Sequence, residues 1–385
     1  MIRTAYIGAR IFDGERWLDG QALLVRDGDI EAIVSPDSIG DAAIERLDGG
    51  MLVPGFVDLQ VNGGGGVLLN EVPTLDGIRT ICATYAQFGS TALLPTLITD
   101  TREVTAKVVA AGIAAGEAGV PGFLGLHLEG PLLSIARKGA HDPALIRPMD
   151  EEDLAALIAA RRRLPNLLTT VALESVTPRQ IADLTTAGIV VSIGHSDARA
   201  AQVIDATGAG LSMATHLFNA MSQMGNREPG IVGAVLSDPP LDAGLIADGI
   251  HVHPDMIGIA LRAKRGPGRI FLVTDAMSMT GTDLKTITLN GRTIHRAGGA
   301  LRLDDGTLAG ADLTMIDAIR FMRDRVGLSL EEALRMATVY PAAALGVGGR
   351  HGRLGAGAAA NFVLLSAALT VRKTWIGGNE VFAAP

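Results

Sequence analysis

The chain has 385 residues, a formal net charge of −8 and 48% hydrophobic residues, enough apolar material for a large core without cross-links. Its single cysteine, Cys82, excludes an intrachain disulfide and fits a reducing compartment, while the acidic balance argues against a nucleic-acid-binding face. No apolar run is long enough to span a membrane and the first residues lack the pattern of a secretory leader, so a soluble cytoplasmic protein is expected.

Residues 1–53 carry short alternating segments at 4–7, 21–25 and 30–34, separated by turn pairs such as Asp13-Gly14 and Asp27-Gly28. This is the pattern of small antiparallel β structure. From 54 to 345 a strand–helix alternation takes over. Candidate strands lie at 56–62, 91–96, 123–129, 167–174, 189–195, 211–217, 243–248 and 270–275, with helical stretches such as 78–88, 103–118, 150–162 and 178–187 between them. Cys82 falls in the first of these helices and reads as core. Near-continuous apolar strands signify burial on both faces, and eight such units predict an α/β fold, a (β/α)8 TIM-type barrel. Segment 283–308 breaks the alternation. Ile287, Leu289 and Ile294 around Asn290-Gly291 predict a β-hairpin insertion. Residues 346–385, with segments 361–365 and 371–381, read as the second part of a small β-sandwich domain whose first part is 1–53.

In a parallel barrel the site lies where the strands end at their C-termini. There the sequence places Gln60 and Asn62, Thr96, His127 and Glu129, Glu174, His195, His216, Asp248 with His251, and Asp275. One or two such residues serve as helix caps; a whole ring of them reads as a polar site. Segment 189–216 is a βαβ unit, so His195 and His216 point from neighbouring strands into one space. With Glu129 they make a one-carboxylate, two-imidazole set that suits zinc or a related divalent ion. Asp275 beside such an ion is placed to take a proton from its water and pass it to a leaving group. Each residue singly also has a plain structural reading: Glu129 and Asp275 as caps, the histidines as unrelated polar strand ends, His127 as a core histidine. Gly63 to Gly66 fail the spacing of a nucleotide-binding loop and read as a tight turn or a close backbone approach.

Six motifs then occur in order: Pro54-Gly55-Phe56-Val57-Asp58, His127-Leu128-Glu129-Gly130-Pro131, Gly194-His195-Ser196-Asp197, Thr215-His216-Leu217-Phe218-Asn219-Ala220-Met221, Asp248-Gly249-Ile250-His251 and Thr274-Asp275-Ala276-Met277. Together, and over nearly the whole chain, they resemble the N-acetylglucosamine-6-phosphate deacetylases of the amidohydrolase superfamily. The resemblance implies one divalent metal ion per subunit, zinc first, held by Glu129, His195 and His216. It implies Asp275 as general acid/base and His141 as the group that polarises the acetyl carbonyl. Ala140, His141, Asn219, Ala220, Arg227, His251, Leu308, Ala309 and Gly310 would bind the sugar phosphate, with Arg227 contributed across a homodimer interface. The implied reaction is hydrolysis of the acetamide of N-acetylglucosamine 6-phosphate to glucosamine 6-phosphate and acetate. Alternatives are N-acetylgalactosamine 6-phosphate, a cyclic amide, or a sugar-phosphate-binding barrel without catalysis. Two departures stand out. Gln60-Val61-Asn62 replaces the His-x-His of many amidohydrolases, which predicts a single tightly bound metal because amides are poorer ligands than imidazoles. Ala172-Leu173-Glu174 replaces an expected Ala-Pro-Glu and leaves the local turn undetermined.

Overall fold

The structure, a computed structural model, describes residues 3–385. Its centre is an eight-stranded parallel sheet whose strands follow one another in chain order: β1 (Phe56–Val61), β2 (Ser90–Ile98), β3 (Leu126–Glu129), β4 (Leu167–Val171), β5 (Val190–Ile193), β6 (Met213–Ala214), β7 (Asp242–Leu245) and β8 (Ile270–Leu272). The seam between β8 and β1 closes just beyond the strands. Asp275 N–H donates to the Gln60 carbonyl at 2.9 Å, and Asn62 N–H to that of Ala276 at 2.9 Å. The result is the expected barrel, buried on both faces because helices cover it outside and side chains fill it within.

The outer helices are α1 (Leu75–Ala86), α2 (Arg102–Glu117), α3 (Glu151–Arg161), α4 (Pro178–Thr186), α5 (Ala200–Gly208), α6 (Gly230–Ser237), α7 (Pro254–Ala263) and α8 (Met315–Phe321). Most begin on side chains suited to the free N–H groups of a first turn. Thr74, Thr101 and Thr314 accept from the third residue on, and Asp150 with Asp153 and Thr177 with Gln180 form reciprocal boxes. Cys82 is buried in α1. Among the described residues no helix is long and apolar enough to cross a membrane.

Several boundaries differ from those read in the sequence. β4 to β8 stop two to three residues early, because the residues that follow leave the extended conformation: φ is 48° at His195, 30° at His216 and 51° at Asp275. β2 runs further, to Ile98, through a register irregularity near Pro95. Thr96 is therefore no strand end; its hydroxyl accepts from Val61 N–H at 2.9 Å inside the barrel wall. The insertion is larger than a hairpin. Strands Thr286–Leu289, Arg292–Ala297, Ala300–Leu303 and Leu308–Ala311 form a four-stranded sheet. Gly298 and Gly299, both with positive φ, supply the turn that adds the third strand. Its apolar side, with Leu289, Ile294 and Leu301, packs on Met277, Met279 and Leu68 over the barrel mouth. Gly63–Gly64 pair with Val67–Leu68 across Gly65-Gly66 as a tight hairpin, the turn read for these glycines.

The chain ends share structure. Phe362–Leu365 pairs antiparallel with Met51–Pro54 in a six-stranded sheet that also takes Arg10–Phe12 and Trp17–Leu18, and a four-stranded sheet is built from Arg3–Ile7, Ala22–Arg26, Asp29–Val34 and Ala43–Arg46. The two sheets enclose Tyr6, Ile11, Leu23, Leu52, Phe362 and Trp375.

Asp58 locks the barrel seam. Its carboxylate accepts from Thr274 Oγ1 at 2.6 Å and from the N–H groups of Thr274 and Gln60 at 3.2 and 3.3 Å. Burial pushes this carboxyl up to about 7 although those hydrogen bonds oppose the rise. The folded protein thus holds the proton more tightly than the unfolded chain. Asp58 contributes stability at pH below about 4 that is lost as pH rises through about 7. In Asp58→Asn that loss disappears. The unfolding free energy of the variant minus that of the wild type should grow by about 2.5 kcal/mol between pH 5 and pH 8 in urea titrations. A pH-independent difference contradicts this account.

Candidate metal and active site

Glu129 is the last residue of β3, while His195 and His216 stand two residues beyond β5 and β6. The left-handed φ at both histidines turns the backbone away from the ladder and aims each ring across the barrel mouth. Phe218, Ala220 and Asp275 share this conformation, so five of the eight non-glycine residues with positive φ among the described residues gather here. Strain concentrated in this way marks sites where geometry is over-determined. Glu129 Oε1 lies 3.2 Å from His195 Nε2 and 3.0 Å from His216 Nε2, and the two nitrogens are 3.1 Å apart. All three residues are buried. Burial alone would raise the Glu129 carboxyl; with no ion between them, the adjoining His195 and His216 imidazoles outweigh it and hold the group well below the usual range.

The donor set fits a divalent ion. Three ligand atoms this far apart can all reach one centre at about 2.1 Å, the usual length of zinc bonds to nitrogen and oxygen. The tautomer agrees. His195 Nδ1 lies 2.9 Å from the Arg137 carbonyl, which only accepts. The hydrogen therefore sits on Nδ1 and Nε2 offers its lone pair to the centre, the usual arrangement of a ligating histidine.

His141 is the neighbour that completes a second possible triplet. Ligand atoms of Glu129, His141 and His195 all lie within 4.8 Å of one another. Its hydrogen bonds give it another part. Thr99 N–H can only donate, and it points at His141 Nδ1 from 3.3 Å, with Thr99 Oγ1 at 2.7 Å. Nδ1 thus accepts, and neutral His141 carries its hydrogen on Nε2. Burial, with His195 nearby, pushes this imidazole down to about 3, so it stays neutral. A neutral N–H donor is suited to a carbonyl oxygen, not to a cation. The Gly130 backbone, at φ 93°, makes room for this: a Cβ there would lie 2.2 Å from Thr99 Oγ1. His127, one layer lower in the barrel, bonds Thr170 Oγ1 at 2.8 Å and belongs to the core.

Asp275 stands three residues beyond β8. Its Oδ1 accepts from Asn62 Nδ2 at 2.7 Å and Gln60 Nε2 at 3.1 Å, and the same Gln60 nitrogen reaches Glu129 Oε2 at 3.1 Å. Both amides therefore turn NH2 groups, not ligand oxygens, toward the carboxylates. Oδ2 of Asp275 accepts nothing from the described residues. Burial, reinforced by the Glu129 charge, pushes this carboxyl up to about 6. It is ionised at neutral pH yet close enough to take up a proton, the condition for an efficient general base.

These groups open into a cavity of about 520 Å³, within the range of small-molecule sites. Ala140, Asn219, Ala220, His251, Leu308, Ala309 and Gly310 line it together with His141, Asp275 and the Glu129–His195–His216 triad. His251 is held by Asp248, whose Oδ2 lies 2.6 Å from Nδ1. Arg227 is not brought to this cavity; it is exposed in the loop before α6. Glu174 does not line it either. It accepts from Ser196 Oγ and Asp197 N–H, both at 2.6 Å, and so anchors the loop after His195. Thr99, Arg137, Arg302 and Thr307 belong to the site but were not singled out from the sequence. Thr99 was hidden by ending the second strand at 96, and Arg302 by reading its segment as a plain hairpin.

Residues 51–381 match the Amidohydrolase family. An N-acetylgalactosamine-6-phosphate deacetylase of Shewanella sp. (strain ANA-3) is 40% identical over 98% of this chain and 95% of its own. An N-acetylglucosamine-6-phosphate deacetylase of Danio rerio is 35% identical over 98% and 96%. The crystal structure of N-acetylglucosamine-6-phosphate deacetylase from Pasteurella multocida superposes with a TM-score of 0.95 at 34% identity, covering 100% of both chains.

Proposed function

The chain belongs to the amidohydrolase family, and from that membership we propose that it hydrolyses the acetamide of N-acetylglucosamine 6-phosphate to glucosamine 6-phosphate and acetate. One observation carries the reading. Glu129 Oε1, His195 Nε2 and His216 Nε2 converge within 3.2 Å of one another, in the same cavity as a carboxylate, Asp275, with one free oxygen.

Glu129, His195 and His216 would hold one divalent ion, zinc by donor type, and that ion would supply a Lewis acid able to lower the pKa of water from 15.7 to about 7. The His141 Nε2–H donates to the acetyl carbonyl oxygen and stabilises the negative charge that builds there. Asp275 Oδ2 accepts the proton of the attacking water. It returns that proton to the nitrogen as the C–N bond breaks, so one carboxylate serves as base and then as acid. Gln60 and Asn62 keep Asp275 aimed through Oδ1, leaving Oδ2 free. Asn219, Ala220 and His251 hold the sugar. The protein works in the cytoplasm as a homodimer, with Arg227 reaching the phosphate of the neighbouring subunit; its position outside its own cavity supports that reading.

The galactosamine epimer is a second reading, favoured by the 40% identity to the Shewanella protein. Acetate release from N-acetylglucosamine 6-phosphate, N-acetylgalactosamine 6-phosphate and N-acetylglucosamine separates them. The expected result is the highest kcat/KM on the first and the lowest on the last. Higher kcat/KM on the galactosamine ester transfers the assignment to the epimer. Acetate release from none of them ends it.

A further inference from the structure

The proposed substrate carries its acetamide on C2 and its phosphate on C6, on opposite sides of the pyranose ring. With the acetamide at the triad, the phosphate reaches toward the rim of the cavity. Two arginines line that cavity, Arg137 and Arg302. Arg137 is committed to Asp197, with Nε 2.8 Å and a terminal nitrogen 2.7 Å from Oδ1. Arg302 is not committed. It is exposed, and its single hydrogen bond among the described residues runs to the Gly306 carbonyl at 2.9 Å. The carboxylates of the adjoining turn are engaged elsewhere: Asp304 accepts from His295 Nε2 at 2.8 Å and Asp305 from Thr307 N–H at 2.9 Å. Arg302 also pairs across the ladder with Leu308, itself on the cavity wall. A guanidinium with no carboxylate partner among the described residues, carried on a paired strand over a site in a chain of net charge −8, is a cationic contact for a dianion.

We propose that Arg302 is a phosphate-binding, specificity-determining residue supplied by the same chain whose triad takes the acetamide. This rests on the sugar-phosphate reading of the cavity. The planar fork offers two parallel N–H groups to two phosphate oxygens, and charge-assisted bonds of this kind are about twice as strong as neutral ones. The insertion sheet thereby recognises the substrate as well as covering the barrel. A second arginine on it, Arg292, donates to the Ala140 carbonyl next to His141, so the sheet is tied to the loop that meets the acetyl group.

The test is calorimetric titration of the metal-loaded Asp275→Asn protein, in which ligand is not consumed, with and without Arg302→Ala. The ligands are N-acetylglucosamine 6-phosphate and N-acetylglucosamine. The expected result is a 10- to 100-fold rise in the Kd ratio, phosphorylated over unphosphorylated, with Arg302→Lys in between. An unchanged ratio, whether both affinities fall together or neither falls, overturns the assignment. Failure of the deacetylase reading shows separately, as wild-type protein that binds the phosphorylated sugar but releases no acetate.

Discussion

Asp275→Asn is expected to lower kcat by about 10³-fold while metal content and the Kd for N-acetylglucosamine 6-phosphate stay within a few fold of wild type. General acid–base groups contribute about 10²–10⁴-fold, and in the proposed mechanism this one carboxylate would act twice in each turnover. The replacement is nearly isosteric. An amide oxygen at the Oδ1 position still accepts from Asn62 and Gln60, which approach at 2.7 and 3.1 Å, so the side chain keeps its place. What it loses is the ability to take a proton on Oδ2. The carboxyl stands at about 6, raised first by burial and then by Glu129, and the base must be ionised to act. A divalent ion beside it would lower that value, so the wild-type kcat/KM should fall along an acidic limb that lies at or below about pH 6, and the residual rate of the variant should lack that limb. Near-normal turnover in Asp275→Asn, or a limb that persists in it, contradicts the assignment.

The second large effect concerns the triad. His216→Ala is expected to reduce bound divalent metal from about one per chain to a small fraction and to abolish acetate release. Loss of a group that merely orients a ligand already costs about 10–100-fold in metal affinity; loss of a ligand costs at least that. His216 Nδ1 has no hydrogen-bond partner among the described residues, so truncation strands no donor or acceptor through that atom, and the variant should fold with a far-ultraviolet spectrum like that of the wild type. Metal retained at one equivalent would remove His216 from the ligand set. Because Gln60 and Asn62 turn NH2 groups toward carboxylates, no second equivalent is expected in the wild type.

Much of this architecture was written in the spacing of apolar runs. Strand–helix alternation specifies a barrel because each run can be buried only between a neighbouring strand and a covering helix. The residues after those runs located the triad, since few structural demands place Glu129, His195 and His216 where apolar strands stop. What stayed hidden has physical reasons. The left-handed φ of His195, His216 and Asp275 is enforced by surrounding structure, and unlike a glycine turn it leaves no compositional mark. Thr99 lies outside the run 91–96 that the sequence marks as the second strand, whereas the strand continues past an irregular register near Pro95 to Ile98. The insertion was seen as two strands because Asn290-Gly291 is a strong turn signal, while the Gly298-Gly299 turn that extends it to four was outweighed. The amide roles of Gln60 and Asn62 depend on where Asp275 lies, which no local pattern states.

The whole account depends on one cation bound between three side chains from separate strands. Diffraction from crystals of the purified protein, with data collected on either side of the zinc absorption edge, tests this most directly. The account predicts one anomalous peak, about 2.0–2.2 Å from Glu129 Oε1, His195 Nε2 and His216 Nε2, with His141 outside the ligand set. A peak coordinated by His141 in place of His216, or no ion between these residues in active protein, would contradict it.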